Sequence, residues 1–327
     1  MDKRHTIIQL LADGKFHSGE ELAAALGVSR AAIWKHLKQL KSDYSLTLFS
    51  VRGRGYRLSQ PLELLDEAAI LESISEDARA RIDQLEVQQQ IDSTNSYLMA
   101  LGMTGAPSGY VCLAEQQTAG RGRRGRAWVS PFGSNIYLSI LWRYNVGIAA
   151  LSGISIAAGV AVAKALEAQG ITGVGLKWPN DILVDGRKLA GLLMEVAGEQ
   201  SGPSRVVLGV GLNTLLAADD AEDIDQPWID LTRVAGDQKI SRNHLSGLLI
   251  SELIKMLSRF EAEGLTKVSQ EWKRFDIYYD QPVVIKLSEQ KQITGIHKGI
   301  DASGALLLQT GSEIKAYHGG EVSLRAV

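Results

Sequence analysis

The polar and apolar positions of the first sixty residues change period once. In "HSGEELAAALGVSRAAIWKHLKQL", Leu22 and Leu26 supply one apolar face. Ile33, Leu37 and Leu40 then recur at spacings of four and three, as in helices buried on one side. Ser18 with Glu21 three residues on forms a capping box, Gly27 ends the first helix, and Ser29 caps the second. The following "LTLFSVRGRGYRLS" alternates around a Gly-rich tip and predicts a two-stranded hairpin. Two helices across a short Gly-containing turn, then a hairpin, form the pattern of a winged helix-turn-helix.

Beyond Pro61 the pattern predicts a helix from Leu64 to Ile74, a short β-like run, and a helix opening at "DSTN". Tyr110 to Ala114 reads as a buried strand and Ile136 to Trp142 as a second. The uncharged run Val146 to Ala163 is long enough to raise a membrane span, but Ala, Gly and Ser give it little apolar bulk, so a buried helix is expected. Asp185-Gly186, between Ile182-Leu183-Val184 and the run Lys188 to Val196, predicts a type I′ hairpin. Trp178-Pro179 predicts an extended residue before a tight turn. An amphipathic helix is predicted from Asn243 to Glu263, with Leu245, Leu249, Leu253, Leu257 and Phe260 inward. From Asp276 onward, short strands separated by "SEQ", "DASG" and "TGSE" predict a small barrel.

Length and charge sharpen this division. The chain has 327 residues, 45% hydrophobic and 22% charged, enough for two domains with room for a third. Cys112 is the single cysteine, which excludes an intrachain disulfide and a cysteine metal site. The opening "MDKRHTIIQLLADGKF" is broken by Asp13 and Gly14 and lacks signal-peptide form, so a cytoplasmic location is expected. Residues 1–60 carry ten cations against five acids, a balance of +5 that leaves −7 for the rest of a chain with net charge −2. One domain is thus suited to a polyanion. Arg30, Trp34 and Lys38 form a stripe away from the buried face, with Lys35 beside it, behind the cap Ser29. Arg52 and Arg54 sit at the wing tip. Duplex DNA fits this set better than a basic bundle serving a protein partner, while Trp34 is also compatible with half-buried packing.

The chemistry concentrates in "QTAGRGRRGRAWVSP", Gln117 to Pro131, where Arg121, Arg123, Arg124 and Arg126 sit among Gly120, Gly122 and Gly125. It is neither a Walker A loop nor a Rossmann glycine pattern. A mobile cationic loop of this kind suits an anion that arrives with the substrate; a solvated basic loop or an RNA patch stay open. Ser93 and Thr94 read either as helix caps or as donors to a small polar ring or carboxylate, and both can hold together. Lys177, Asn180 and Asp181 fall at one strand end and Lys188 on the return strand. No Ser-His-Asp order, cysteine nucleophile or metal-ligand spacing accompanies them, which favours phosphate chemistry over hydrolysis.

"DSTN", "GRGRRGRAW", "KWPNDI", "GRKLAG" and "VLGVGLN", in that order behind a winged helix-turn-helix, closely resemble the bifunctional biotin protein ligases that are also biotin operon repressors. The resemblance covers essentially the whole chain and extends to "AEQQTAG" and to "HGGEVSLR" with Arg325. It implies an α+β multidomain fold. The expected parts are a winged helix-turn-helix at 1–62, a class II synthetase-like ligase domain of mixed, mainly antiparallel sheet with helices at 63–274, and an SH3-like small β-barrel at 275–327. It further implies that biotin and ATP, with Mg²⁺, yield biotinyl-5′-AMP, and that biotin passes to a lysine of the biotin carboxyl carrier protein of acetyl-CoA carboxylase.

By the same resemblance Ser93, Thr94, Asn95 and Gln117 meet the ureido head, and Arg121, Gly122 and Arg123 hold the activated carboxyl and phosphate. Lys188 meets the acyl-phosphate oxygens, which makes Arg123 and Lys188 the expected catalytic pair. Arg126 and Trp128 line the same region, Asn213 and Trp228 help enclose the adenine or its ribose, and Asp181 assists the metal. The DNA-binding set is Ser29, Arg30, Trp34, Lys35, Lys38, Arg52 and Arg54. Expected partners are operator duplex DNA, the carrier protein and, once the adenylate is bound, a second copy of the chain; no membrane is expected. The rival readings are a regulator that only senses a small molecule and a lipoate-type acyltransferase.

Overall fold

The computed structural model describes residues 3–217, 219–222, 224–287, 291–319 and 323–326. At the N-terminus lie α1 (Lys3–Leu11), α2 (Gly19–Leu26) and α3 (Arg30–Tyr44), then the antiparallel wing β1 (Leu48–Val51) and β2 (Gly55–Leu58). The capping box forms: the Ser18 hydroxyl accepts from the Glu21 N–H at 3.1 Å, and the Glu21 carboxylate accepts from the Ser18 N–H at 2.7 Å. Ser29 caps α3 by accepting from Ala32 N–H at 3.2 Å. Ile7, Ile8, Leu11, Leu22, Ile33, Leu37 and Leu40 are buried together, and the cluster takes in Phe132 from the next domain. Tyr44, the last residue of α3, meets Phe132 with ring centroids 4.5 Å apart.

The helix expected from Leu64 to Ile74 is instead two short ones, α4 (Glu67–Glu72) and α5 (Glu76–Arg79). The residues before α4 are claimed by the start of a distant helix. Arg242 and Asn243 donate to the carbonyls of Glu63 and Leu64, and Asp66 N–H donates to the Asn243 amide oxygen at 2.8 Å. Asp66 then caps α4 from its side chain.

The central sheet has seven strands: β3 (Gln84–Gln88), β4 (Tyr110–Ala114), β5 (Ile136–Tyr144), β6 (Val174–Lys177), β7 (Asp181–Val184), β8 (Arg187–Gly198) and β9 (Ser204–Leu212). Their spatial order is β3-β4-β5-β9-β8-β7-β6. The β3–β4 pair is parallel, bridged by α6 (Thr94–Met103), and the remaining neighbours are antiparallel. In the β7–β8 turn Asp185 and Gly186 both have positive φ, 50° and 71°, as a type I′ turn requires.

The apolar run becomes a 3₁₀ turn (Ile148–Leu151) and α7 (Ile154–Ala168), with eleven residues of α7 buried. By length and composition the stretch Ile148–Ala168 could cross a membrane. Here it packs on α9 (Arg242–Glu263), whose Leu245, Leu249, Leu253, Leu257 and Phe260 are buried as the periodicity predicts. In the chain α8 (Leu231–Ala235) precedes α9, and α10 (Val268–Phe275) packs against α7.

The C-terminal unit is an antiparallel sheet of β10 (Pro282–Lys286), β11 (Gln292–Ile300), β12 (Leu306–Thr310), β13 (Glu313–Tyr317) and β14 (Ser323–Ala326). Its order is β13-β12-β11-β10-β14, with β13 and β14 at the two ends. Closure into a barrel is absent among the described residues. The "SEQ" linker, Ser288 to Gln290, and Gly320 to Val322 of "HGGEVSLR" lie outside the described residues. Arg325 stands opposite Val284 in the backbone register.

Candidate active site

A cleft of about 370 Å³ opens where the N-terminus of α6, the arginine loop and the β6–β7–β8 hairpins meet. Its floor is polar and buried. Ser93, Thr94 and Asn95 are nearly fully buried at the start of α6. Ser93 caps that helix by accepting from Ser96 N–H, so its capping role is realised while it also faces the cleft. Gln117 accepts from both the Thr94 N–H (3.0 Å) and its hydroxyl (3.2 Å), and its amide nitrogen donates to Ser130 at 3.1 Å. Asn95 donates to Glu195 at 3.0 Å and accepts from Ser139 at 2.6 Å. These bonds fix each amide and hydroxyl before any ligand arrives.

Two glycines of "VLGVGLN" make this packing possible. A Cβ at Gly209 would run into the Asn95 side chain, and one at Gly211 into the Trp128 indole. Isolated glycines inside a strand signal such close approaches. The sequence reading did not single them out, nor Ser139 and Glu195, although a lone acid in the otherwise apolar end of the Lys188 to Val196 run was a visible signal.

The arginine loop takes a defined turn. Arg121 and Ala127 form a bridge, Gly122 N–H donates to the Arg126 carbonyl at 2.7 Å, and Arg123–Gly125 makes a 3₁₀ turn in which Arg124 takes φ 59°. Two guanidinium groups pin it from outside: Arg121 pairs with Glu195 at 2.5 Å, and Arg123 donates to the Asn180 side chain at 3.0 Å and to the Gly319 carbonyl. Burial lowers the pKa of Arg123; the Asp181 carboxylate opposes that and Arg124 adds to it. Arg124 and Arg126 line the mouth and are exposed.

Opposite the loop, the Trp178–Pro179 peptide is cis, and Asn180 exchanges hydrogen bonds with Leu192 across the hairpin. Asp181 is held between Lys188 at 2.7 Å and Lys177 at 3.5 Å. The Lys188 ammonium also lies 5.3 Å from the Trp128 ring centroid. Arg121, Arg123, Arg124, Arg126, Lys177 and Lys188 thus face a cleft whose lining acids are Asp181 and Asp225, a field that attracts anions.

Asn213 and Trp228 do not line the cleft. The Asn213 amide donates to the carbonyl of Ile229 at 3.2 Å, and the Trp228 ring sits under Arg233 at 4.6 Å. They hold the segment 225–229 against Lys188, whose N–H donates to the Pro227 carbonyl at 2.9 Å. Asp181, expected to assist a metal, is committed to two lysines. Among the described residues no group of three His, Cys, Asp or Glu side chains could hold a metal ion.

On the N-terminal unit, Trp34, Lys35 and Lys38 are exposed on α3 and Arg52 and Arg54 on the wing. Arg30 is paired with Glu20 at 3.0 Å, and Arg54 lies over the Phe16 ring at 4.3 Å. Half-buried packing of Trp34 does not occur; 59% of the residue is exposed.

A cationic cleft with a prearranged amide and hydroxyl floor, on a mixed sheet behind a helix-turn-helix, corresponds to a ligase class joined to a DNA-binding class. Residues 87–213 match the Biotin/lipoate A/B protein ligase family, residues 3–57 an HTH domain and residues 279–325 the Biotin protein ligase C terminal domain. The chain is 43% identical to the bifunctional ligase/repressor BirA of Salmonella typhimurium, over 98% of this chain and 97% of that one. It is 35% identical to the biotin–[acetyl-CoA-carboxylase] ligase of Mycobacterium tuberculosis, over 73% of this chain and 88% of that one. The structure of the Aquifex aeolicus biotin protein ligase in complex with biotin and ATP superposes with a TM-score of 0.64 at 25% identity, covering 75% of this chain and 100% of that one. The chain belongs to the family of bifunctional biotin protein ligase/repressors.

Proposed function

We propose that this protein is an ATP-dependent biotin protein ligase whose adenylate also serves as the corepressor for DNA binding at the biotin biosynthesis operon. The observation that carries the reading is the pairing of a buried amide and hydroxyl floor with the Arg123 and Lys188 cations across one cleft. A biotin carboxylate oxygen attacks the α-phosphorus of ATP, the bond from that phosphorus to the bridging oxygen breaks, and pyrophosphate leaves. Two anions must approach, so fixed cations at the crossing point lower the barrier by positioning and electrostatics. The acceptor lysine nitrogen then attacks the acyl carbon, AMP leaves, and the amine proton is released.

In this reading Ser93, Thr94, Asn95 and Gln117 hold the ureido ring, and Arg121, Gly122 and Arg123 the activated carboxyl and phosphate. Lys188 balances the acyl-phosphate oxygens, with Arg126 and Trp128 beside it. Asn213 and Trp228 act through the backbone of 225–229, which borders the nucleotide. Mg²⁺ would enter with the nucleotide and offset part of its phosphate charge. In this reading the units are a winged helix-turn-helix at 1–62, a class II synthetase-like ligase domain at 63–274 and a C-terminal β unit at 275–327. The acceptor is the biotin carboxyl carrier protein of acetyl-CoA carboxylase, and the work takes place in the cytoplasm.

The test is mass spectrometry of a purified biotin carboxyl carrier domain after incubation with the protein, ATP, Mg²⁺ and biotin. Addition of one biotin mass is expected. Bound biotin with no transfer would instead favour a sensor without ligase activity.

The adenylate-bound chain dimerises, and two winged helices then meet a two-fold operator. Equilibrium sedimentation should give a tighter dimer with biotin and ATP than without; identical constants would exclude the coupling.

A further inference from the structure

We propose that Trp34 reads thymine 5-methyl groups in the major groove, so that an apolar contact sets part of the sequence choice of the DNA-binding domain. The inference rests on the DNA-binding reading above and adds a specificity-determining residue to it. Trp34 stands in the first half of α3 with 59% of its surface exposed. Packing does not account for it, because Ile33 and Leu37, on either side in sequence, are 1% and 4% exposed and already carry the core contact of this helix.

Its surroundings hold the indole outward between charges. Arg30, one turn before it, is occupied by Glu20 at 3.0 Å, and the Lys38 ammonium, one turn after it, lies 5.6 Å from its ring centroid. Lys35 and Lys38 on the helix and Arg52 and Arg54 on the wing supply the charge that complements phosphates on both sides of a groove. The centre of the stripe is therefore apolar and its margins are cationic. In the major groove thymine alone among the four bases presents a methyl group, and flat apolar side chains recognise it by contact.

The test uses the full-length protein with biotin and ATP present. Duplexes are enriched from a random library with the wild-type protein, and the best is then made with deoxyuridine replacing thymidine, which removes the methyl groups and keeps base pairing. The wild type is expected to lose about tenfold in affinity on the deoxyuridine duplex. Trp34→Ala should bind the thymidine duplex about tenfold more weakly and bind the two duplexes alike, with its salt dependence unchanged because no phosphate contact is lost. Trp34→Phe should keep most of the discrimination, and Lys38→Ala should keep it while flattening the salt dependence.

Discrimination by Trp34→Ala equal to that of the wild type, or a wild type indifferent to the replacement, would overturn the assignment. Failure to enrich any duplex would instead overturn the DNA-binding reading itself, and the inference with it.

Discussion

Arg123→Ala is expected to lower kcat/KM for biotin- and ATP-dependent pyrophosphate release by a factor on the order of 10²–10³, the usual loss when one preorganised charge-stabilising donor is removed. The four loop arginines are not equivalent. Arg121 is engaged by Glu195 at 2.5 Å, and Arg124 and Arg126 are exposed. Arg123 is half-buried, with its fork fixed by Asn180 and the Gly319 carbonyl. A guanidinium held in place before the reaction needs no reorganisation when negative charge develops, and partial burial strengthens its field. Burial also lowers its pKa, yet arginine starts so far above neutrality that it stays charged at physiological pH. Arg123→Lys keeps the charge but loses the fork to Asn180 and Gly319, so it should fall between wild type and alanine. A pyrophosphate-release assay giving Arg123→Ala within threefold of wild type would remove this residue from the proposed mechanism.

Why Arg123 differs from its neighbours was not legible in the sequence. The composition of the loop announces an anion, but the partners that sort its arginines, Glu195, Asn180 and Gly319, lie 57 to 196 residues further along the chain. The same blindness applied to the turn itself, whose internal hydrogen bonds the glycine content did not announce. Local signals fared better. The Ser18–Glu21 box, the Ser29 cap, the Asp185-Gly186 turn and the period of α9 each depend on residues within a few positions of one another, and each appears as read. The segment Leu64 to Ile74 failed for the complementary reason. Its helical pattern is genuine, but residues 63, 64 and 66 give backbone groups to Arg242 and Asn243, a tertiary claim that overrides local propensity. Asn213 and Trp228 show the same limit: the resemblance puts them near the site, while only the packing makes one a backbone clamp and the other a platform for Arg233.

That tertiary claim predicts the largest stability effect in the chain. Glu115 is 3% exposed and ends the run from β4 toward Gln117. One carboxylate oxygen accepts from the Leu65 N–H at 2.5 Å and the other from Arg242 at 3.0 Å. Arg242 is 5% exposed and also donates to the Asn135 carbonyl at 2.7 Å. Glu115→Ala leaves a buried guanidinium without its counter-charge and a connector amide without an acceptor, a loss of about 3–5 kcal/mol. Glu115→Gln keeps an acceptor for the Leu65 N–H and should cost less. Glu115→Leu with Arg242→Met should recover part of the loss, because burying neither charge removes the desolvation penalty, although the carbonyls of Glu63 and Asn135 then lose their donor. Denaturant unfolding followed by tryptophan fluorescence measures all three, and a Glu115→Ala midpoint indistinguishable from wild type would show that the pair is not the structural tie described. Amide hydrogen exchange at Leu65 locates the effect. This residue sits on the connector between the helix-turn-helix and the ligase domain, so faster exchange there, with α3 still protected, would mean that Glu115 fastens the DNA-binding unit to the strand that leads into the floor of the cleft.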